Sequence, residues 1–331
     1  MWSAQVGAVP ETVSLRAVGD RLFLVGSGGA VVLALDLASG REVWRTVLSS
    51  PVMAGVGSDG ETTAVVTQEN ELVGITAGAV RWRQSLSASA YTPPLVAGRR
   101  VFVLTADRTV QAFDASTGQR LWSQSRSGEP LVLKQPGVLL AVGDTLVAGL
   151  AGRLVGLNPL SGSARWEIPL ATVRGVNEVE RLVDLVGPVS RVGQSICARS
   201  YASAVGCVDA SRGTLVWTQS ARGVAGLGGD EQQVYGAESN GRLVAWRRTT
   251  GQQAWSTDRL LHRELSAPTL LGRAVAVGDD SGWVHLISRE DGSELARLAT
   301  DGSPVLSAPL LADNTLVVQT RRGGVFAWRP Q

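Results

Sequence analysis

The chain has 331 residues, of which 44% are apolar and 18% are charged, and its formal net charge is only +2. This composition is typical of a globular protein, and the near-zero charge provides no electrostatic footprint for nucleic acid. No apolar run reaches the roughly 18 residues that a membrane-spanning helix needs. The composition therefore favours a globular domain and argues against nucleic acid as a partner.

The predicted elements repeat along the chain, and a short phrase marks each repeat. In the full phrase, an Asp or Asn is followed after four residues by Gly and after eight by Trp. Complete copies contain Asp36, Gly40 and Trp44; Asp114, Gly118 and Trp122; Asn158, Gly162 and Trp166; and Asp209, Gly213 and Trp217. Shorter copies contain Gly78 and Trp82, and Gly251 and Trp255, while a seventh has Ala296 in place of Trp. Because the tryptophans recur every 38 to 51 residues, they indicate propeller blades or a similar array.

Each repeat is predicted to contain four short strands, as the first repeat illustrates. Residues 22–26, 31–36 and 42–46 read as strands, separated by a Gly-Gly turn and by the turn of the phrase. The fourth strand is predicted in the proline-containing segment after each Trp, such as residues 50–52 or 91–96. Apart from residues 176–186, no window of 11 or more residues has a convincing helical period. The sequence therefore predicts an all-β chain.

The two ends of the chain predict how the array closes. The last repeat, residues 315–331, stops where its Gly and Trp would follow, whereas residues 1–5 resemble an outer strand that carries Trp2. We therefore predict a single domain, residues 1–331, that folds as an eight-bladed β-propeller of four-stranded antiparallel blades. The N-terminal strand is expected to close the last blade. A structural role between blades is expected for the tryptophans of the outer strands: Trp2, Trp44, Trp82, Trp122, Trp166, Trp217 and Trp255.

The two cysteines, Cys197 and Cys207, both belong to one predicted hairpin in the fifth repeat. Their even separation places both side chains on one face of paired strands. This arrangement favours a disulfide, and with it an oxidising compartment, although two buried free thiols are the alternative.

The sequence offers little catalytic chemistry. It lacks a Cys-x-x-Cys pair, a Walker loop and a Gly-x-Ser-x-Gly elbow, and two histidines cannot build a His-rich metal site. We interpret His262 and His285 as structural residues. Acidic pairs such as Asp279 and Asp280 lie at predicted turns, where we expect solvated side chains. No catalytic residue, metal or cofactor is therefore predicted.

The repeat phrase resembles that of the pyrroloquinoline-quinone-type propellers. Within this group the whole chain resembles the BamB family of lipoproteins, which belong to the machinery that inserts β-barrels into the bacterial outer membrane. Residues 177–184, 255–268 and 277–292 carry the more specific similarity. The resemblance implies a non-enzymatic scaffold that binds the periplasmic domains of the barrel subunit BamA. Unfolded outer-membrane protein clients are a further expected partner.

The same resemblance implies a periplasmic location at the outer membrane, where an N-terminal cysteine carries a lipid anchor. That cysteine is not present in the 331 residues, so the anchor is expected upstream of Met1.

The resemblance also implies two partner-binding loops. The family's Leu-x-Leu-Arg motif corresponds here to Leu131, Leu133 and Lys134. Lys in place of Arg replaces a guanidinium, which can bind a carboxylate with two hydrogen bonds, by an ammonium group that acts as a point charge. Arg181 and Asp184 match the family's second partner loop, residues 181–184, and Glu180 beside it is also assigned to the site. A further acidic position of the family is Val186 here, which weakens the match. The competing interpretation makes Leu131 and Leu133 inward residues of a strand.

Two other functions fit the same type of repeat. Quinone-dependent dehydrogenases share it, but they are much longer and carry adjacent cysteines and a calcium site, whereas these two cysteines lie ten residues apart. A carbohydrate- or peptide-binding propeller could instead use Trp246 or Trp328 as a stacking platform.

Overall fold

The computed structural model describes residues 1–10, 13–126, 131–171, 183–305 and 307–329. Within these ranges the chain forms eight four-stranded antiparallel sheets, each of which is one blade. The predicted eight-bladed β-propeller is therefore confirmed. Residues 176–182, which include most of the one segment with a possible helical period, lie outside the described residues.

The strands are short, and four successive strands form each of the first seven blades. The N-terminal strand is β1 (Trp2–Gln5). Blade one contains β2 (Arg16–Val18), β3 (Arg21–Gly26), β4 (Val31–Asp36) and β5 (Glu42–Val47). Blade two contains β6 (Val52–Ser58), β7 (Thr62–Thr67), β8 (Glu71–Thr76) and β9 (Ala79–Ser85). Blade three contains β10 (Leu95–Ala97), β11 (Arg100–Leu104), β12 (Thr109–Asp114) and β13 (Arg120–Ser125). Blade four contains β14 (Leu139–Val142), β15 (Thr145–Leu150), β16 (Arg153–Leu157) and β17 (Ala164–Pro169).

The second half of the ring repeats this order, except in its last blade. Blade five contains β18 (Leu185–Val192), β19 (Ser195–Ser200), β20 (Ala204–Asp209) and β21 (Thr214–Ser220). Blade six contains β22 (Gly228–Gly229), β23 (Gln233–Ala237), β24 (Leu243–Arg247) and β25 (Gln253–Thr257). Blade seven contains β26 (Thr269–Leu271), β27 (Ala274–Gly278), β28 (Trp283–Ser288) and β29 (Glu294–Ala299). Blade eight contains β30 (Leu310–Ala312), β31 (Thr315–Gln319) and β32 (Gly324–Trp328), with β1 as its outer strand.

The ring closes through the two ends of the chain, as predicted. Strand β1 pairs antiparallel with β32, so that Trp2 lies opposite Ala327 and Gln5 lies opposite Gly324. The innermost strands β2 and β30 also contact each other and complete the circle. The outer strand of blade eight therefore comes from the opposite end of the chain to its other three strands.

Several innermost strands begin just after a proline rather than including it, although β18 contains Pro188. Strand β6 begins at Val52, after Pro51, and β10 begins at Leu95, after Pro94. The prediction placed these prolines inside the strands. Proline has no N–H to donate to a ladder, so it is accommodated at the entry to a strand more easily than within it.

Each phrase tryptophan packs on the phrase glycine of the next blade. At Gly118 the backbone has φ +73°, and a methyl group there would lie only 2.6 Å from Cδ2 of Trp82. Trp82 also donates its indole N–H to the Ala115 carbonyl at 2.9 Å. The ring–glycine pairs are Trp2 with Gly40, Trp44 with Gly78, Trp82 with Gly118, Trp122 with Gly162, Trp166 with Gly213, Trp217 with Gly251 and Trp255 with Gly292. Glycine is thus required both by the positive φ and by the ring that covers it.

Blade seven lacks the phrase tryptophan, and a larger side chain on its third strand occupies part of the volume that the ring fills in other blades. Opposite the tryptophans of the other blades, the third strand carries a small residue, such as Ala34 opposite Trp44 and Gly74 opposite Trp82. Opposite Ala296 the third strand carries Leu286 instead. No hairpin turn joins β32 to β1, and the described residues of blade eight include no phrase glycine on which a ring at position 296 could pack.

Cys197 and Cys207 lie directly opposite each other in β19 and β20, and their sulfur atoms are bonded in the structure. Both side chains are fully buried between blades five and six.

We expect thiol titration of denatured, unreduced protein from the periplasm to detect no free thiol. The loop of ten residues is short, so chain entropy predicts a stabilisation of about 2–3 kcal/mol. Two titratable thiols per chain would contradict this pairing.

Candidate partner-binding site

The disc has two faces that differ in which connections they carry. The turns of the repeated phrase lie on the same side of the disc as the turns that follow the innermost strands. In blade one, for example, the Leu37 N–H donates to the Asp20 carbonyl at 2.9 Å. We call this side the turn face. Since neighbouring strands are antiparallel, the blade-to-blade connections lie on the opposite side, which we call the connection face. The described part of the first predicted partner loop, residues 131–138, lies on the connection face between β13 and β14.

Backbone hydrogen bonds hold this segment against several blades. The Gly137 N–H donates to Thr92 Oγ1 at 3.0 Å, and the Pro136 carbonyl accepts the Gly187 N–H at 2.9 Å. Residues 131–138 form no strand. The interpretation of Leu131 and Leu133 as inward residues of a strand is therefore wrong.

The two leucines of the segment differ in exposure. Leu131 is 37% exposed. Leu133 is half-buried and lines a small cavity of about 60 Å³ together with Leu104 and Leu150. Leu131 can therefore offer an apolar contact to a partner, while Leu133 fixes the segment against blades three and four.

Asp184 joins the second predicted loop to the first. One carboxylate oxygen of Asp184 accepts the Leu133 N–H at 3.1 Å. The other lies 3.4 Å from Nη1 of Arg108, whose Nη2 donates to the Leu131 carbonyl at 3.3 Å. The structure thus brings together the Leu131 segment and Asp184, which leave neighbouring blades. Arg108, only 7% exposed, bridges the two.

Arg108 was not predicted from the sequence. It lies in the turn between β11 and β12, 76 residues from Asp184, and the sequence pattern gives no signal that connects them. Asp184 itself is only 18% exposed, because its carboxylate is directed at the segment rather than at solvent. Asp184 therefore holds the surface in shape more than it presents a charge. Lys134 is exposed beside it, whereas Glu180 and Arg181 lie outside the described residues.

A second polar cluster, in blade seven, corrects an expectation for Asp279. This side chain is fully buried rather than solvated, and it pairs with Arg263 and with Nε2 of His285, the latter at 3.0 Å. Its other oxygen accepts the Trp283 N–H, as expected of a turn residue. Burial raises the pKa of the Asp279 carboxyl, but hydrogen bonds from His285 and Trp283 outweigh burial and hold this pKa below its usual range.

The remaining candidates divide between core and surface. His285 is buried in the Asp279 cluster, whereas His262 is exposed. Trp246 is buried between blades five and six and is not available as a stacking platform; Trp328 is half-buried and stacks on Phe326. Across the described ranges, no three His, Cys, Asp or Glu side chains are arranged to hold a metal ion. None of the helical structure in those ranges is long and apolar enough to cross a membrane.

Solved structures share this architecture. The crystal structure of BamB from Moraxella catarrhalis superimposes with a TM-score of 0.91 at 24% identity, and the alignment covers 99% of this chain and 98% of that chain. Quinohemoprotein alcohol dehydrogenase from Comamonas testosteroni superimposes with a TM-score of 0.74 at 14% identity, over 100% of this chain and 77% of that chain. At these identities, both likenesses show a shared fold.

Sequence comparisons give the family. Outer membrane protein assembly factor BamB of Burkholderia pseudomallei is 38% identical over 100% of this chain and 88% of that protein. The protein of the same name from Bordetella pertussis is 34% identical over 99% of this chain and 86% of that protein. A family model described as Outer membrane protein assembly factor BamB matches residues 1–55 and 28–257. The chain therefore belongs to the BamB family of outer membrane protein assembly factors.

Proposed function

We propose that the protein is a non-enzymatic scaffold of the outer-membrane β-barrel assembly machinery and that it binds the periplasmic domains of BamA. The relatives that support this role are named as assembly factors. The observation that carries the proposal is the shared use of Asp184, whose carboxylate fastens the Leu131 segment to the neighbouring blade. A surface held in this way loses little conformational entropy when a partner binds.

The proposed binding surface is defined by Leu131, Leu133, Lys134 and Asp184, together with Glu180 and Arg181 of the adjoining loop. Leu131 supplies an exposed apolar anchor. Lys134 is an exposed cation that orients an acidic partner group and raises the association rate. Arg108 acts beneath the surface as a positioning residue, because it binds both the Leu131 carbonyl and Asp184.

The scaffold role also implies where in the cell the protein works. We propose that the protein works at the periplasmic face of the outer membrane, tethered by a lipid. A buried disulfide fits an oxidising compartment. Unfolded outer-membrane proteins are proposed as transient clients of the assembled machinery.

The test replaces the apolar anchors. Changing Leu131 and Leu133 together to Ser is expected to weaken binding of the purified periplasmic domains of BamA by roughly 30-fold or more, as the loss of an interface hot spot would. The measurement is biolayer interferometry with the immobilised propeller. The melting temperature is expected to fall only modestly, because Leu131 is exposed and Leu133, although it packs against blades three and four, belongs to no strand.

Two further variants sharpen this test. Leu160→Ser removes a leucine that is 65% exposed on the turn face, and it should leave binding unchanged. Lys134→Glu should weaken binding, while Lys134→Arg should preserve or improve it, since a guanidinium can bind a carboxylate with two parallel hydrogen bonds. Unchanged affinity in a folded Leu131/Leu133 double variant would rule out this surface as the BamA site.

A further inference from the structure

The centre of the disc contains a large cavity that the proposed BamA surface does not use. Its volume is about 830 Å³, which falls within the range of sites that bind ligands. Its lining comes from the inner parts of all eight blades. The cavity is therefore the central channel of the ring rather than a groove between two blades.

The side chains of the channel wall are mainly aliphatic. Leu95, Leu139, Leu270 and Leu310, from blades three, four, seven and eight, are among the residues that line it. The described lining residues include no Phe, Tyr, Trp or His. Ligands that bind by stacking on aromatic rings, such as sugars, nucleobases and flat cofactors, are therefore poor candidates for this channel.

The channel wall is also a set of open strand edges. The eight innermost strands each stand at the end of their sheet. Neighbouring segments bond some backbone groups of these edges, such as the Gly55 carbonyl and the Gly187 N–H. The remaining N–H and C=O groups are ones that a purely hydrocarbon ligand would leave unsatisfied. An extended polypeptide supplies both backbone hydrogen-bonding groups and apolar side chains.

The charged side chains of the channel wall indicate which net charge a bound polypeptide would have. In the described part of the channel wall, Arg16, Lys134 and Arg191 stand against one acid, Glu264. Among the described residues, no carboxylate lies within 4.0 Å of any of the three cations. The channel therefore has a cationic excess that an acidic ligand would neutralise.

The two arginines are held in place near the turn-face end of the channel. Arg16 donates from Nε to the Ser58 carbonyl at 3.2 Å, and Arg191 donates from Nη1 to the Ala141 carbonyl at 2.8 Å. They belong to blades one and five, which lie opposite each other in a ring of eight. Each guanidinium is anchored by a neutral carbonyl and keeps further N–H groups for a ligand.

We propose that the central channel binds an extended, acidic polypeptide segment, with aliphatic side chains against the leucines and carboxylates at Arg16 and Arg191. The channel is distinct from the surface around Leu131, and the two share only Lys134. The proposal therefore does not depend on the proposed BamA site.

The test measures fluorescence anisotropy of a short fluorescein-labelled peptide in which glutamate alternates with valine. The lysine–valine peptide of the same length is the charge control. The intact chain is expected to bind the acidic peptide, more weakly as salt rises, and not to bind the basic one. Arg16→Gln combined with Arg191→Gln should raise Kd roughly tenfold or more, as the loss of hydrogen bonds between charged groups would.

Three controls make the outcome decisive. Arg212→Gln removes an exposed arginine of the turn face outside the channel and should leave Kd unchanged. Leu310→Trp should block the channel and abolish peptide binding, with folding checked by circular dichroism. Inorganic phosphate at millimolar concentration should not displace the peptide.

Several results would overturn the proposal. These are no binding of the acidic peptide, equal binding of both peptides, an unchanged Kd in the arginine or Leu310 variants, or full displacement by phosphate. BamA-domain binding should survive in the Arg16/Arg191 double variant. Loss of peptide binding and loss of BamA binding are therefore separable results.

Discussion

Deletion of residues 1–6 is expected to lower the free energy of unfolding by about 3–5 kcal/mol or more, because it removes the half-buried Trp2 ring together with a complete strand. The deletion removes the β1 ladder with β32 and the Trp2 ring on Gly40. It also removes the indole hydrogen bond to the Leu37 carbonyl at 3.0 Å. Equilibrium denaturation in urea, followed by tryptophan fluorescence, measures the change.

A matched variant separates the ring from the strand. Trp2→Ser keeps the β1 backbone but removes both the ring and the indole donor, so it should cause a large part of the same loss. Trp283→Ser, which removes a half-buried tryptophan that is not part of the repeated phrase, should cost less. If the truncated chain melted within a degree or two of the intact one, β1 would not be closing the ring.

Asp279→Ala is expected to destabilise the fold by about 3–5 kcal/mol, because more than one hydrogen-bond donor, including the buried His285, then loses its acceptor. In the alanine variant the buried His285 loses its carboxylate partner. Arg263 and the Trp283 N–H lose theirs as well. Asp280→Ala, at the exposed neighbouring position, is the control and should have little effect. The measurement is the unfolding free energy at neutral pH.

The same residue predicts a dependence on pH. The pKa of Asp279 in the folded protein lies below its ordinary value of 3.8. Its contribution to stability is therefore fully present above that value and is lost as the pH falls through the lower folded pKa. In Asp279→Asn this contribution cannot titrate, so stability should fall less steeply than in the wild type below about pH 4. Parallel curves for the two proteins in this range would contradict the ionised, paired state of Asp279.

The repeated phrase explains why so much of the fold could be predicted. Each copy of Asp, Gly and Trp is a local signal: the acid and glycine define a turn, and the ring sets the distance to the next blade. Repetition at nearly constant spacing turns these local signals into a ring. The pairing of Trp2 with blade eight could be predicted for the same reason, since the last repeat lacks the strand that residues 1–5 supply.

The interactions that position the candidate site could not be predicted in this way. Arg108 and Asp184 come from different blades and meet only because the ring places those blades side by side. Asp279 shows the same limit. Its hydrogen bond with the Trp283 N–H follows from local turn chemistry, but its ion pair is with Arg263, which comes from the connection with the preceding blade. Turn patterns in a sequence carry no information about such contacts.

The pairing of β1 with β32 sets an order for folding. The two strands lie more than 300 residues apart in the sequence, whereas the other described ladders join neighbouring strands. Blades one to seven can each pair their own four consecutive strands, whereas Trp2 and its strand must wait for β32. The pairing of β1 with β32 closes a loop of nearly the whole chain. The entropic cost of closing this loop becomes small only after the intervening blades are compact. Completion of the ring is therefore the final event, and the open edge of β32 is exposed until it occurs.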